Sequence, residues 1–170
     1  MRGRADGASP GAHAPEMARA TEFLARVLGA ELGSGASEAI AAELARAAER
    51  FDARRDVVAL AARDGAAVGA LVVTHEERLG PTGLVAYWAV EARERGRGVG
   101  RELLETAVAE SRRLRLPALL ARCLPLQPAA PRLLWAHGFR VTGLEGLLVG
   151  EKVRELILFE RRLGSDAPQT

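Results

Sequence analysis

The chain has 170 residues, 48% of them hydrophobic but only 4% aromatic, and its 24 basic and 22 acidic side chains leave a net charge of +2. That length suits one domain with a sizeable aliphatic core. The small net charge, the few aromatics available for base stacking and the acids interspersed among the arginines stand against an Arg-rich nucleic-acid binder.

Residues 1–14 are rich in Gly, Ala, Arg and Pro without a period, and read as a disordered leader. Pro15 suits the first turn of a helix and Glu16 suits its dipole. Phe23, Leu24, Val27 and Leu28 continue the helical spacing, with Gly29 or Gly33 as its end. Ser37 is the expected N-cap of a second helix, which carries Ile40, Leu44, Ala47, Ala48 and Phe51 on one face. No strand-like run precedes the first helix.

Val57 to Ala62 and Ala66 to Thr74 are β-branched or small apolar runs around Asp64-Gly65, which predicts a hairpin. Gly80 to Gly83 is the next turn, and a third strand covers Leu84 to Val90. A helix follows with Val99, Leu103, Ala107 and Val108 aligned, and Pro117 stops it. Ala118 to Leu124 reads as a buried strand, and a short helix starting at Pro128 or Pro131 runs through His137 to a Gly138 cap. Phe139 to Leu144 and Leu156 to Phe159 are closing strands around a Gly-rich connection. The expected domain spans 15–165, with 166–170 as a flexible tail. The element order predicts an α/β (α+β) protein with a mixed, mostly antiparallel central sheet flanked by helices.

Cys123 is the only cysteine, so no intrachain disulfide forms, which fits a reducing cytosol. The best apolar run, Val57 to Val73, is broken by Arg63 and Asp64, too soon to span a bilayer. The N-terminal arginines lead into no signal-peptide core. A soluble cytoplasmic protein without a membrane partner is expected.

The turn between the third strand and its helix is the most informative segment. Arg95, Gly96, Arg97, Gly98, Val99, Gly100 and Arg101 leave main-chain N–H groups uncovered at a helix N-terminus, ringed by positive charge. Such a turn holds phosphate. It lacks the Gly-Lys-Ser/Thr of a P-loop. The dinucleotide spacing G-x-G-x-x-G also fails, with Arg101 or Leu103 at the third position.

Arg95-x-x-Gly98-x-Gly100 resembles the (Arg/Gln)-x-x-Gly-x-(Gly/Ala) segment of the GNAT family of N-acetyltransferases. Farther on, Gly138-Phe139 and Ala130 also match the family's pattern, while Gln127 and Leu134 replace its usual Asn and Tyr. The resemblance implies the acyl-CoA N-acyltransferase fold, acetyl-CoA as co-substrate and a small-molecule or peptide amine as acceptor. It also implies that the third strand splays from its parallel neighbour, so that Tyr87 to Val90, with Ala89 and Val90 foremost, line the pantetheine arm. Gln127 joins the implied coenzyme contacts. The family's Tyr commonly protonates the leaving thiolate, which Leu134 cannot do.

Among acid–base candidates, His75 offers an imidazole, the side-chain type suited to proton transfer at neutral pH, and is followed by Glu76 and Glu77. Tyr87 on the splayed strand and Glu91 at its end are the other candidates. His137 and Cys123 read as a helix C-terminal partner and a buried filler. No second His stands at ligand spacing from His75, so no metal is expected. The functional expectation is acetyl transfer to an amine by direct attack on the thioester; a non-catalytic acyl-CoA-binding regulatory or sensor module is the alternative. A homodimer through a strand edge or the first helix is compatible with the pattern.

Overall fold

A computed structural model describes residues 13–123, 129–149 and 152–164. The expected leader, except for His13 and Ala14, lies outside them, as do the 166–170 tail and Gln127. Helix α1 covers His13–Leu32 and α2 covers Ser34–Glu49. Met17, Ala20, Phe23, Leu24 and Val27 form the buried stripe of α1, and Leu44 and Ala47 that of α2.

Ser37 is not an N-cap. The break between the helices falls at Gly33, whose φ of 91° suits glycine, and α2 is already helical from Ser34. Gly29 does not end α1 either. It sits where the two helices meet, and a Cβ there would stand 2.6 Å from Ser37 Oγ. The glycine serves close approach, not termination.

The hairpin forms as expected. Strand β1 (Val57–Arg63) and β2 (Ala66–His75) are joined by Asp64 and Gly65, both at positive φ. Then come β3 (Gly83–Val90), α3 (Val99–Arg113), β4 (Ala118–Cys123) and α4 (Ala129–Ala136). Strands β5 (Arg140–Val149) and β6 (Lys152–Arg162) close the sheet. Both run longer than their apolar cores suggest, because the stretch read as a Gly-rich connection is mostly strand. Gly143 and Gly146 pair with Leu158 and Glu155, so ladder hydrogen bonds carry them despite glycine's low strand preference. Helix α4 stops one residue before His137, and Gly138 follows at φ 81°.

Among the described residues the sheet is six-stranded in the order β1-β2-β3-β4-β6-β5, and of these only β3 and β4 pair in parallel; the other neighbours are antiparallel. Strand β2 is buried on both faces. Ala70 and Val72 pack under α1 and α2, whereas Leu71 and Val73 pack under α3 and α4. On α3, Leu103 and Leu104 are buried, each contributing on the order of 2 kcal/mol by leaving water.

Strand β3 carries a bulge that positions the site. Val72 pairs with Tyr87 but Val73 pairs with Val85, so Ala86 is the extra residue. One inserted residue reverses the facing of everything beyond it. Val85 therefore joins the α3/α4 layer, whereas Tyr87, two residues on, joins the α1/α2 layer.

Candidate active site

Strand β3 pairs with β4 only over Gly83↔Leu119, Leu84↔Leu120 and Val85↔Ala121. Beyond Val85 the two strands part, and among the described residues that edge of β3 has no partner. Alternation along the β2 pairing shows which main-chain groups face the opening. Glu91 N–H donates to Val68 O at 2.8 Å, so residues 91, 89 and 87 address β2. The N–H groups of Trp88 and Val90 address the opening. The Val90 carbonyl accepts Arg95 Nε at 3.1 Å.

At the far end of β3, Gly96 and Gly98 take φ of 75° and 87°, with open space where a Cβ would stand. The first hydrogen bond of α3 runs from Glu102 N–H to Gly98 O at 3.0 Å. The N–H groups of Val99, Gly100 and Arg101 precede it and are left without helical acceptors. Gly100 lies over Trp88, Val90 and Leu133, each within 4 Å of its would-be Cβ. The arginines are partly committed. Arg95 also pairs with Glu31 of α1, Arg97 stands 3.5 Å from Glu94, and Arg101 is exposed on the first turn. The result is a concave nest of N–H donors with positive charge at its rim.

On the α2 side of β3 lies a cleft of about 590 Å³. Glu43, Ala47 and Arg50 from α2 form one wall. The others are Asp56 ahead of β1, Thr74 to Arg78 at the end of β2, and Ala86 and Tyr87 of β3. His75 and Tyr87, two of the expected acid–base residues, thus meet in one cleft. Burial, then the Glu43 carboxylate, raises the Tyr87 pKa above its ordinary value near 10, so its hydroxyl is neutral at physiological pH. Glu91 does not line the cleft; it pairs with Arg26 at 2.8 Å.

His75 is held on both ring nitrogens. Asp56 Oδ1 is 2.6 Å from Nδ1 and also accepts the His75 main-chain N–H at 2.7 Å. Arg55 Nη2 lies 2.7 Å from Nε2. Asp56 Oδ2 accepts the Asp52 N–H at 2.8 Å. Sequence reasoning missed Asp56, Arg55, Glu43 and Arg50. The signal was the hairpin register, but a second bulge obscured it. Ala62 pairs with Ala67 and Ala61 with Gly69, so Val68 is extra and Asp56 comes level with the end of β2 one residue later than a regular hairpin gives.

The remaining candidates are placed elsewhere. His137 Nδ1 bonds the Leu133 carbonyl at 2.8 Å and Nε2 approaches Glu105 at 3.2 Å, a helix-end role. Cys123 is buried, which pushes its thiol up to about 11. Leu134, at the position of the family's Tyr, is completely buried in the α3/α4 core. Among the described residues no group of His, Cys, Asp or Glu is placed to hold a metal ion, and no helix is long and apolar enough to cross a membrane.

A sheet parted between its parallel strands, with a glycine nest at one end and a polar cleft alongside, defines an acyltransferase architecture. The family model of the GNAT acetyltransferases matches residues 23–139, and the chain belongs to that family. Its fold is similar to an acetyltransferase of the GNAT family from Streptococcus pneumoniae (TM-score 0.66, 21% identity, 88% of this chain and 95% of that one). It is also similar to yncA from Salmonella typhimurium, solved with its cofactor acetyl-CoA (TM-score 0.60, 19% identity, 79% and 78%). A third similar structure is an IAA acetyltransferase from Bacillus cereus (TM-score 0.59, 20% identity, 72% and 84%). No curated protein matches the chain in sequence.

Proposed function

We propose that this acetyltransferase moves the acetyl group of acetyl-CoA to an amine bound in the His75 cleft, by direct attack of the amine on the thioester. One observation carries the reading: Ala86 and Tyr87, the residues just past the last β3–β4 pair, also line the cleft. The opening and the cleft therefore meet at one point of β3, where an acyl group and an amine can come together.

The glycine turn fits a diphosphate. It offers clustered N–H donors, and no side chain fills the concavity over Gly96 and Gly98. Gly96, Gly98, Val99, Gly100 and Arg101 would grip the phosphates, with Arg95 and Arg97 supplying charge. The outward N–H groups of Trp88 and Val90 would line the arm; Ala89, expected there from the sequence, turns its main chain to β2 and its side chain into the α1/α2 layer. Bound there, acetyl-CoA supplies an activated acyl carbon and a thiol whose pKa near 8.5 makes it a tolerable leaving group.

Glu43 and Glu77 draw a cationic amine into the cleft, where it gives one proton to solvent before it attacks. His75 accepts the second proton of the amine as the new N–C bond forms and the C–S bond breaks. Tyr87 stays neutral, so its hydroxyl stabilises departing charge as a hydrogen-bond donor, and the thiolate takes its proton from solvent. The second reading, a binding module without turnover, is favoured by Leu134, whose side chain is core where the family places a proton donor.

Thermal unfolding with acetyl-CoA, with NADH and ATP as controls, tests the first half. Ligand at about a hundred times its dissociation constant adds roughly 2.7 kcal/mol, a rise of about 5–10 °C. Release of free thiol on adding spermidine, tryptamine, kanamycin or a peptide with a free N-terminus tests the second. A shift without thiol release favours the binding module. No shift removes the coenzyme assignment.

A further inference from the structure

The two ring nitrogens of His75 meet groups of opposite hydrogen-bonding character. An ionised carboxylate only accepts and a guanidinium only donates. Asp56 Oδ1, 2.6 Å from Nδ1, requires a proton on that nitrogen. Arg55 Nη2, 2.7 Å from Nε2, requires that nitrogen to be bare. Two neighbours thus select one tautomer independently.

We propose that Asp56 is the positioning residue of His75, holding the ring as the Nδ1–H tautomer so that Nε2 carries the lone pair that receives the amine's proton. This rests on His75 acting as the base. Asp56 is built for the task. Its side chain is only 2% exposed, and its carboxylate is the shared acceptor of Asp52 N–H, His75 N–H and His75 Nδ1–H. Those bonds fix the end of β2 and the ring plane together.

The proton path is short. One amine proton passes to Nε2, the Nδ1 proton stays on the ring, and the resulting imidazolium faces the Asp56 charge without transferring anything to it. Arg55 must leave Nε2 for this to happen. Its side chain is 54% exposed, and Asp52 Oδ2 already lies 3.4 Å from its Nε, an alternative partner for the guanidinium.

Nitrogen-15 NMR of the histidine rings in the full chain, at about pH 8, reads the tautomer without any variant or ligand. The expected spectrum of His75, assigned by its loss in His75→Gln, has Nδ1 protonated and Nε2 bare; a predominant Nε2–H tautomer overturns the proposal. In Asp56→Asn the amide NH2 must oppose one of the N–H donors, so only Arg55 still selects and the Nε2–H tautomer gains population relative to wild type. With the fastest of the four amines as acceptor, Asp56→Asn lowers kcat on the order of 100-fold or more and leaves the acetyl-CoA KM within about 2-fold. His75→Gln loses at least as much. Wild-type kcat in His75→Gln removes His75 as the base. Loss in His75→Gln with wild-type kcat in Asp56→Asn removes Asp56 alone.

Discussion

At the α3 end of β3, the Arg95 to Arg101 turn presents main-chain N–H groups contributed by one continuous segment. Alongside the same strand, the His75 cleft is made of side chains from α2, the residues ahead of β1, the end of β2, and β3. The two regions differ in what a substitution can do. A nest of N–H groups tolerates changes of side chain except where a Cβ would enter it or demand a forbidden φ. A side-chain cluster tolerates changes of backbone composition but not of the hydrogen-bonding groups themselves. The first should govern binding of the acyl donor and the second the rate.

The largest test of that contrast is Gly98→Val. Its φ of 87° forces a β-branched residue into the left-handed region, at about 1–2 kcal/mol, and its side chain enters the concavity. Titration calorimetry is expected to show acetyl-CoA binding weakened on the order of 100-fold, a free-energy loss of about 2.7 kcal/mol. Unchanged affinity would mean the turn is not the coenzyme's seat.

Tyr87→Phe is the complementary change. Removing the hydroxyl should lower kcat about 10-fold while acetyl-CoA affinity stays at the wild-type value. A raised KM for acetyl-CoA instead would move Tyr87 from the rate side of the comparison to the binding side. The same residue has a pH signature. Below pH 10 its hydroxyl is neutral in the folded and unfolded chains and contributes no difference. Above pH 10 the unfolded chain ionises first, because the folded pKa is raised, so stability falls as pH rises. Melting temperatures above pH 10 should therefore drop more steeply in wild type than in Tyr87→Phe.

Cys123 should have the smallest effect, although it stands on β4 at the same opening. Its thiol, pushed up to about 11 by burial, is expected to resist iodoacetamide at pH 8 in the folded chain and to react in denaturant, as followed by mass spectrometry. Cys123→Ala should keep wild-type turnover. Rapid alkylation of the folded chain would show the opening to be wetter there than the structure has it.

The glycine turn was legible because every part of it is local: glycines, arginines, a strand before and a helix after, all within one stretch. The hairpin at Asp64-Gly65 and the buried face of α3 were legible for the same reason. His75 and Tyr87 could be named as residue types suited to proton handling, but nothing in their spacing brought them together. Asp56 passed unnoticed because a carboxylate ahead of a strand is ordinary, and only the Val68 bulge brings it opposite Thr74, next to His75. Ser37 and the closing strands misled for a related reason. Capping preference and glycine content are weak local biases, overridden here by helix–helix contact at Gly29 and by ladder pairing at Gly143 and Gly146.

Sequence alone thus determined the order of the elements, the aliphatic core and the glycine-rich turn at the start of α3, since periodicity, turn chemistry and glycine's φ freedom act over a few neighbouring residues. Tertiary structure alone decided which side chains share the cleft. Two single-residue bulges, at Val68 and Ala86, set the register and facing of β2 and β3. A bulge has almost no signature in composition, yet one added residue turns every side chain beyond it to the opposite face.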